Sequence, residues 1–358
     1  MDFLSFLKEK IVVFDGAFGT MLQKKAKHIG TVPELLNIER PEIIAEIHRA
    51  YAEAGADVIT ANTFGANEKK AGSADLSDKL IRAAVEIARR EAKGKFVALD
   101  IGPIGQLLEP MGSLTFDEAY AIFARQMKAG AGADLIIIET MTDLAELKAA
   151  LLAARETTNL PVLCSMTFEQ NGRTFTGCGA DCFALTASPL ADAVGVNCSL
   201  GPKQLLPVVQ TILENTEKPV IVQANAGLPD ENFNYNVSAD EFADVCQEML
   251  RAGVRIIGGC CGTTPDYIRK LRALADRMSP APSPYRRRSA VCSATKCVEI
   301  DGVRVIGERI NPTGKKAMKT ALYEGNYGYV TAQALEQAEA GADILDVNAG
   351  LPELDEKA

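Results

Sequence analysis

Short apolar runs rich in Val and Ile punctuate the chain, set between longer stretches where apolar residues recur every three or four positions. Eight such runs precede residue 260: IVVF at 11–14, DVIT at 57–60, FVAL at 96–99, LIII at 135–138, VLCSM at 162–166, AVGV at 193–196, VIVQ at 220–223 and RIIG at 255–258. Each is too short for a helix and does not alternate, as expected of a parallel strand buried on both faces. The stretches between them, such as PEIIAEIHRAYAEAG and ADEFADVCQEMLRAG, predict amphipathic helices. A repeated phrase marks the return from helix to strand: AGADVIT at 54–60, AGADLIII at 131–138 and AGADILDV at 340–347, with RAGVRIIGG at 251–259 as a looser copy. Its glycine suits the left-handed position that ends a helix. Eight alternating units predict an α/β fold, a (β/α)8 TIM barrel. A doubly wound open sheet is the alternative. Its dinucleotide-binding form is weakened because no GxGxxG follows the first run.

A barrel puts its chemistry just beyond the C-terminal ends of its strands. The residues there are Asp15-Gly16, Asn62-Thr63, Asp100, Glu139-Thr140, Thr167, Asn197-Cys198, Asn225 and Cys260-Cys261. Loops are polar anyway, but three cysteines at two strand ends are not ordinary loop composition. The pattern breaks at residue 279, where SPAPSPYRRRSAVCSATK is rich in Pro, Ser and Arg and has no apolar period. The expected organisation is a barrel over residues 1–285, an irregular linker over 286–299, and a second α/β unit from 300 to 358. That last unit opens with VRVIGERINPTG and reaches ILDVNAG. Two strands cannot close a barrel, so the sequence reads as a fragment of a longer protein.

Acidic side chains outnumber basic ones by 47 to 38, a formal charge of −9. That argues against nucleic acid or an anionic membrane as partner, since both call for a basic face. No apolar run is long enough to span a bilayer. MDFLSFLKEK lacks the basic start, clean apolar stretch and small-residue cleavage site of a secretory signal. The chain is therefore read as cytoplasmic, where its nine cysteines are thiols or metal ligands rather than disulfides.

The strongest chemical signal is GVNCSLGP at 195–202 together with GGCCGTTP at 258–265. Cys198 follows the sixth strand; Cys260 and Cys261 follow the eighth. Strands two apart around a barrel point their loops at one site. Three converging thiolates suit Zn2+ and leave its fourth position open, as in catalytic rather than structural zinc. Thr263 or Thr264 is placed to cap the next helix, with Pro265 in its first turn; the positive end of that helix favours thiolate. Asn225 lies between the two cysteine loops. Its oxygen suits the fourth zinc position when no substrate is bound, or else caps its own loop. The other cysteines read as structural: Cys164 in a strand, Cys246 in a helix, Cys178 and Cys182 in a loop, Cys292 and Cys297 in the linker. His28 and His48 read as surface or packing residues, and Arg286–Arg288 as a solvated segment.

These two cysteine motifs, with FDGAFGT at 14–20 and ETM at 139–141, resemble the homocysteine S-methyltransferase family over residues 1 to about 285. The linker followed by GERINPTG and GADILDVNAG resembles the start of a pterin-binding barrel. That order of domains resembles the N-terminal part of the cobalamin-dependent methionine synthases. The resemblance implies an enzyme that binds homocysteine through sulfur on one Zn2+ per chain and methylates it to methionine. Methylcobalamin is the implied donor, recharged from methyltetrahydrofolate by folate, cobalamin and activation domains beyond this chain. It also implies that Asp15 and Glu139 face the substrate ammonium and that the N–H groups of Gly16 and Ala17 take its carboxylate. By the same resemblance Glu308, Asn311, Asp346 and Asn348 fall where pterin-contacting groups stand. The alternatives are a stand-alone methyltransferase using a sulfonium donor such as S-methylmethionine, and a non-catalytic zinc-stabilised assembly module.

Overall fold

The computed structural model describes residues 2–25, 30–230, 235–352 and 354; His28 lies outside them. The chain divides into two compact units, residues 1–286 with 293–296, and residues 287–292 with 297–358.

In the first unit the eight apolar runs are eight strands: β1 (Val12–Val13), β2 (Val58–Thr60), β3 (Phe96–Ile101), β4 (Leu135–Met141), β5 (Val162–Met166), β6 (Ala193–Asn197), β7 (Val220–Ala224) and β8 (Ile256–Gly259). All are parallel, hydrogen-bonded in the order β1-β8-β7-β6-β5-β4-β3-β2. A bridge from Phe14 to Val58 joins β1 to β2 across the remaining seam. The sheet is thus a nearly closed barrel rather than an open sheet. Val12, Val58, Ala98, Leu135, Ile137, Leu163, Ala193, Ile221 and Ile256 fill its interior. Phe3 and Leu7 join the same cluster from the helix Phe3–Glu9, whose start is capped by the Asp2 side chain. The N-terminal segment, read above only for targeting signals, therefore packs into the barrel core.

The repeated AGAD phrase does more than turn the chain. Its aspartate accepts a hydrogen bond from an amide at the start of the preceding strand: Asp57 from Val13 at 2.9 Å, Asp134 from Val97 at 2.8 Å, Asp343 from Val305 at 2.9 Å. Asp192, outside the phrase, does the same for Val162 at 2.8 Å. Asp57 also pairs with Arg272 at 2.8 Å. These bonds satisfy strand-end donors that have no partner in the ladder.

The second unit begins with a surprise. Within residues 286–299, expected to be irregular, β9 (Ala290–Cys292) and β10 (Cys297–Glu299) form an antiparallel hairpin. A short, half-buried two-stranded ribbon needs no apolar period, so the sequence pattern did not reveal it. β11 (Ile306–Ile310) and β12 (Ile344–Val347) then pair in parallel across the helices Lys316–Tyr323 and Tyr327–Glu339. Ile310, Met318, Leu322 and Leu351 form a small core, while Ile306 and Val347 remain exposed. No helix among the described residues is long and apolar enough to cross a membrane.

Candidate metal and substrate site

The three cysteines of the two motifs converge. The sulfurs of Cys198, Cys260 and Cys261 all lie within 4.8 Å of one another, with Cys198 and Cys261 at 4.0 Å. A tetrahedral zinc with Zn–S of about 2.3 Å needs sulfurs about 3.8 Å apart, so the set fits such an ion with small adjustments.

The backbone holds each sulfur in place. Cys198 adopts a left-handed φ of 61°, followed by Ser199 at 63°. Such conformations cost about 1–3 kcal/mol each for non-glycine residues. Here they are held by bonds from the Cys198 amide to Gln223 O at 3.0 Å and from the Leu200 amide to Cys198 O at 2.7 Å. The Cys260 amide is tied to Ala224 O at 2.8 Å, and Cys261 O takes the Ala226 amide at 2.9 Å. Gly262 turns the chain at φ 84°. A Cβ there would meet the Tyr235 ring at 2.2 Å. Thr264 caps the following helix, Pro265–Ala275, by position, without a side-chain bond. Thr263 instead donates to Cys260 O at 2.7 Å.

The thiols interact strongly. Hydrogen bonds from Cys198 and then Cys260 hold Cys261 well below the usual thiol range, with Tyr235 as a further partner. Cys260 is pushed up by its bonds to the other two. Burial, then the Cys261 charge, raise the Tyr235 phenol to about 12. Asn225 is buried at the end of β7, its side-chain oxygen without a partner. An orphaned oxygen between the strands that carry the cysteines suits a further metal ligand.

A cavity of about 390 Å³ opens over these sulfurs, walled by Glu139, Asp100, Glu34, Asn62 and the start of the helix Phe18–Lys25. Glu139 sits where β4 breaks register against β5 between Ile138 and Met141, beside Thr140 at φ 62°. Bulges of this kind re-aim a side chain. Asn197, fully buried, fixes this one. Its oxygen accepts from the Thr140 amide at 2.8 Å and from Ser165 Oγ at 2.8 Å, and its amide nitrogen donates to Thr140 Oγ1 at 2.8 Å. Burial, then Asp15, then Cys261, raise Glu139 to about 8. Burial, then Glu139, Asp15 and Glu34, push Asp100 well up, and its Oδ1 has no partner.

Two of the residues expected at the substrate have partners within the fold. Both oxygens of Asp15 accept from Thr60, from its amide at 2.8 Å and its hydroxyl at 2.7 Å. Burial raises Asp15 to about 7. The Ala17 amide donates to Thr263 Oγ1 at 3.0 Å. The next amides, of Phe18 and Gly19, open a helix and have no carbonyl four residues back to bond.

The remaining expectations fall out simply. Thr63 bonds the backbone of Asp100 and Thr167 that of Asn197. His48 is fully buried with its ring against Phe18 at 5.3 Å, a packing residue that burial lowers to about 3. Cys164 and Cys246 are buried in β5 and a helix as expected. Cys178 precedes the helix Ala180–Ala187, and Cys182 lies in it rather than in a loop. In the second unit Asn311 donates to Glu308 at 2.7 Å, and Asp346 and Asn348 follow on and after the parallel β12. Phe18, Glu34 and Tyr235 were missed by sequence reasoning. Phe18 lies within the quoted FDGAFGT stretch but was given no role, and no local motif marks Glu34 or Tyr235, which the fold brings in from distant segments.

Residues 12–275 match the homocysteine S-methyltransferase family. The chain belongs to that family. Among curated proteins the chain is 32% identical to methionine synthase of Mycobacterium leprae over 383 aligned positions, covering 97% of this chain and 32% of that one. The methionine synthase of Mycobacterium tuberculosis matches at 32% over 378 positions, with the same coverage. The chain thus spans about a third of the length of these relatives. Among solved structures, the homocysteine methyltransferase MmuM from Escherichia coli in its metallated form superposes with a TM-score of 0.66 at 24% identity, covering 75% of this chain and 98% of that one. That likeness is one of fold. The protein is of the methyltransferase class.

Proposed function

We propose that the barrel takes L-homocysteine, with Cys198, Cys260 and Cys261 holding one zinc ion at its thiol, and methylates that thiol to give methionine. The observation that carries this reading is the convergence of three sulfurs at the floor of an acid-walled cavity. An all-sulfur donor set selects a soft or borderline ion such as Zn2+ over Mg2+ or Ca2+. When bound, that ion supplies the positive charge that ionises a coordinated thiol, whose ordinary pKa of about 8.5 otherwise keeps it mostly protonated at neutral pH.

The chain's own residues orient the amino acid. Glu139 receives the ammonium, which brings the charge that offsets burial and lets the carboxylate ionise. The unpartnered oxygen of Asp100 supplies a second acceptor. Asp15 supports the wall by fixing Thr60, which lines the cavity. The carboxylate takes the amides at the start of the helix Phe18–Lys25, where the helix dipole favours an anion. Asn225 serves the fourth metal position before substrate arrives.

The donor is methylcobalamin, remethylated from methyltetrahydrofolate in a protein of the relatives' length. Two features support this: the alignment with methionine synthases runs through the second unit as well, and Asn311 and Asn348 directly follow parallel β11 and β12, with Glu308 and Asp346 within those strands, where pterin-binding groups would serve. Further βα units would cover the exposed Ile306 and Val347. A sulfonium donor such as S-methylmethionine is the second reading, since the same three-sulfur site would activate the thiol for it equally well.

The test offers L-homocysteine with methylcobalamin and with S-methylmethionine separately, with and without a zinc chelator, for the chain and for Cys260→Ala. Chelator-sensitive turnover of methylcobalamin, lost in the variant, is expected. Turnover of S-methylmethionine alone would move the donor to the sulfonium class. Full activity in Cys260→Ala would end the zinc reading.

A further inference from the structure

We propose that Cys292 and Cys297 form a reversible redox dithiol in the β9–β10 hairpin, a modification site separate from the three cysteines of the barrel mouth. The two strands are antiparallel, with Cys292 directly opposite Cys297, Val291 opposite Val298 and Ala290 opposite Glu299. The hydrogen bonds at either end fix which pairs are wide and which are narrow. The Ile300 amide donates to Ser289 O at 2.7 Å, and the Ser293 amide donates to Lys296 O at 2.9 Å. Counting inward from both ends by the antiparallel alternation, Val291/Val298 is a hydrogen-bonded pair and Cys292/Cys297 is not.

Cα atoms at non-hydrogen-bonded positions lie about 4.5 Å apart, and the side chains leave the same face. A disulfide spans Cα separations of about 4.4–6.8 Å. The bond can therefore close without moving the backbone. Both residues are half-buried, within reach of a small oxidant. Cys164 and Cys246 differ on both counts: each is fully enclosed, and burial pushes its thiol up, Cys246 to about 12. Neither lies opposite another cysteine in a ladder.

The chemistry needs an oxidant of the small-disulfide class, such as oxidised glutathione. One thiolate attacks a sulfur of that disulfide, forming a mixed disulfide and expelling one glutathione thiolate. The second cysteine thiolate attacks the protein-side sulfur, forming the Cys292–Cys297 bond and expelling the second glutathione. Two protein thiols lose two electrons and two protons, and the oxidant gains both as two thiols. A two-stranded ribbon alone is marginal, so the cross-link locks its register.

The test uses the whole chain, loaded with zinc to protect the barrel thiols. It is equilibrated in glutathione buffers from fully reduced to strongly oxidised, alkylated and cut with trypsin. Trypsin cleaves after Arg288, Lys296 and Arg304, so the two cysteines fall on separate peptides, SAVCSATK and CVEIDGVR. In oxidising buffer these two should appear mainly as one linked ion that separates on reduction. Amide exchange at Val291 and Val298 should slow severalfold in the same sample. Cys292→Ser should lose the linked ion and carry a glutathione adduct on Cys297. The proposal is overturned if both peptides stay singly alkylated or singly glutathionylated across the series, or if either cysteine links instead to another cysteine of the chain.

Discussion

Asn197→Ala removes the joint that aims Glu139. The native side chain makes three bonds of 2.8 Å, to the Thr140 amide, Thr140 Oγ1 and Ser165 Oγ, at a fully buried position. After truncation the Thr140 amide and the Ser165 hydroxyl face each other across a gap with no acceptor. Leaving a buried donor unpaired costs about 1–3 kcal/mol, so the variant should lose about 2–5 kcal/mol, part of it because nothing then holds Thr140 at its left-handed φ. Urea unfolding followed by circular dichroism measures this, with an unchanged m-value marking a true stability change. Ser165→Ala is the comparison: it removes one bond and leaves Asn197 in place, so about 1 kcal/mol is expected. Homocysteine affinity should fall in Asn197→Ala and hold in Ser165→Ala, since only the first frees the bulge that carries Glu139. If Asn197→Ala is as stable as its parent to within about 0.5 kcal/mol and binds homocysteine equally well, the argument that Asn197 positions Glu139 is wrong.

Other consequences are equally open to measurement. Glu139→Gln should weaken homocysteine binding by about 10- to 150-fold, the worth of a hydrogen bond to a charged group, while zinc content stays at one per chain; matched losses of both would assign Glu139 to structure. Asp15 titrates at about 7 in the fold against about 4 when unfolded, so it holds its proton more tightly in the native state. It therefore removes stability as pH rises between those values and nothing further above them. Asp15→Asn should flatten the decline of the urea midpoint from pH 5 to 7, and an unchanged or steeper decline would count against its burial. Gly262→Ala combines a left-handed φ with a clash against the Tyr235 ring. It should displace that ring and lower zinc affinity at least severalfold in a competition titration, and wild-type affinity would remove Tyr235 from the account of the site.

Much of the barrel was legible because parallel strands, buried on both faces, print themselves as unbroken apolar runs. Residues just after those runs then had to face one end of the cylinder, which is why spacing and motif pointed to Cys198, Cys260, Cys261, Glu139 and Asn225. Partners that consume a group's hydrogen bonds were not legible. Asp15 is taken by Thr60 and the Ala17 amide by Thr263, across 45 and 246 residues of chain, and nothing local announces either pairing. The AGAD phrase was visible as a turn, but its aspartate acts on a neighbouring strand that only strand pairing brings near. The hairpin at 290–299 and the helix at 3–9 were missed for a simpler reason: both are too short for periodicity to stand out from their surroundings.

The central claim is that three cysteine sulfurs carry zinc and that the sulfur of homocysteine completes its shell. X-ray absorption at the zinc edge, on the loaded chain before and after adding L-homocysteine, tests it most directly. The account predicts sulfur neighbours at about 2.3 Å from Cys198, Cys260 and Cys261 plus one lighter atom, with the lighter atom replaced by a fourth sulfur on addition. A shell that does not change with homocysteine, or one without the three sulfurs, would contradict it.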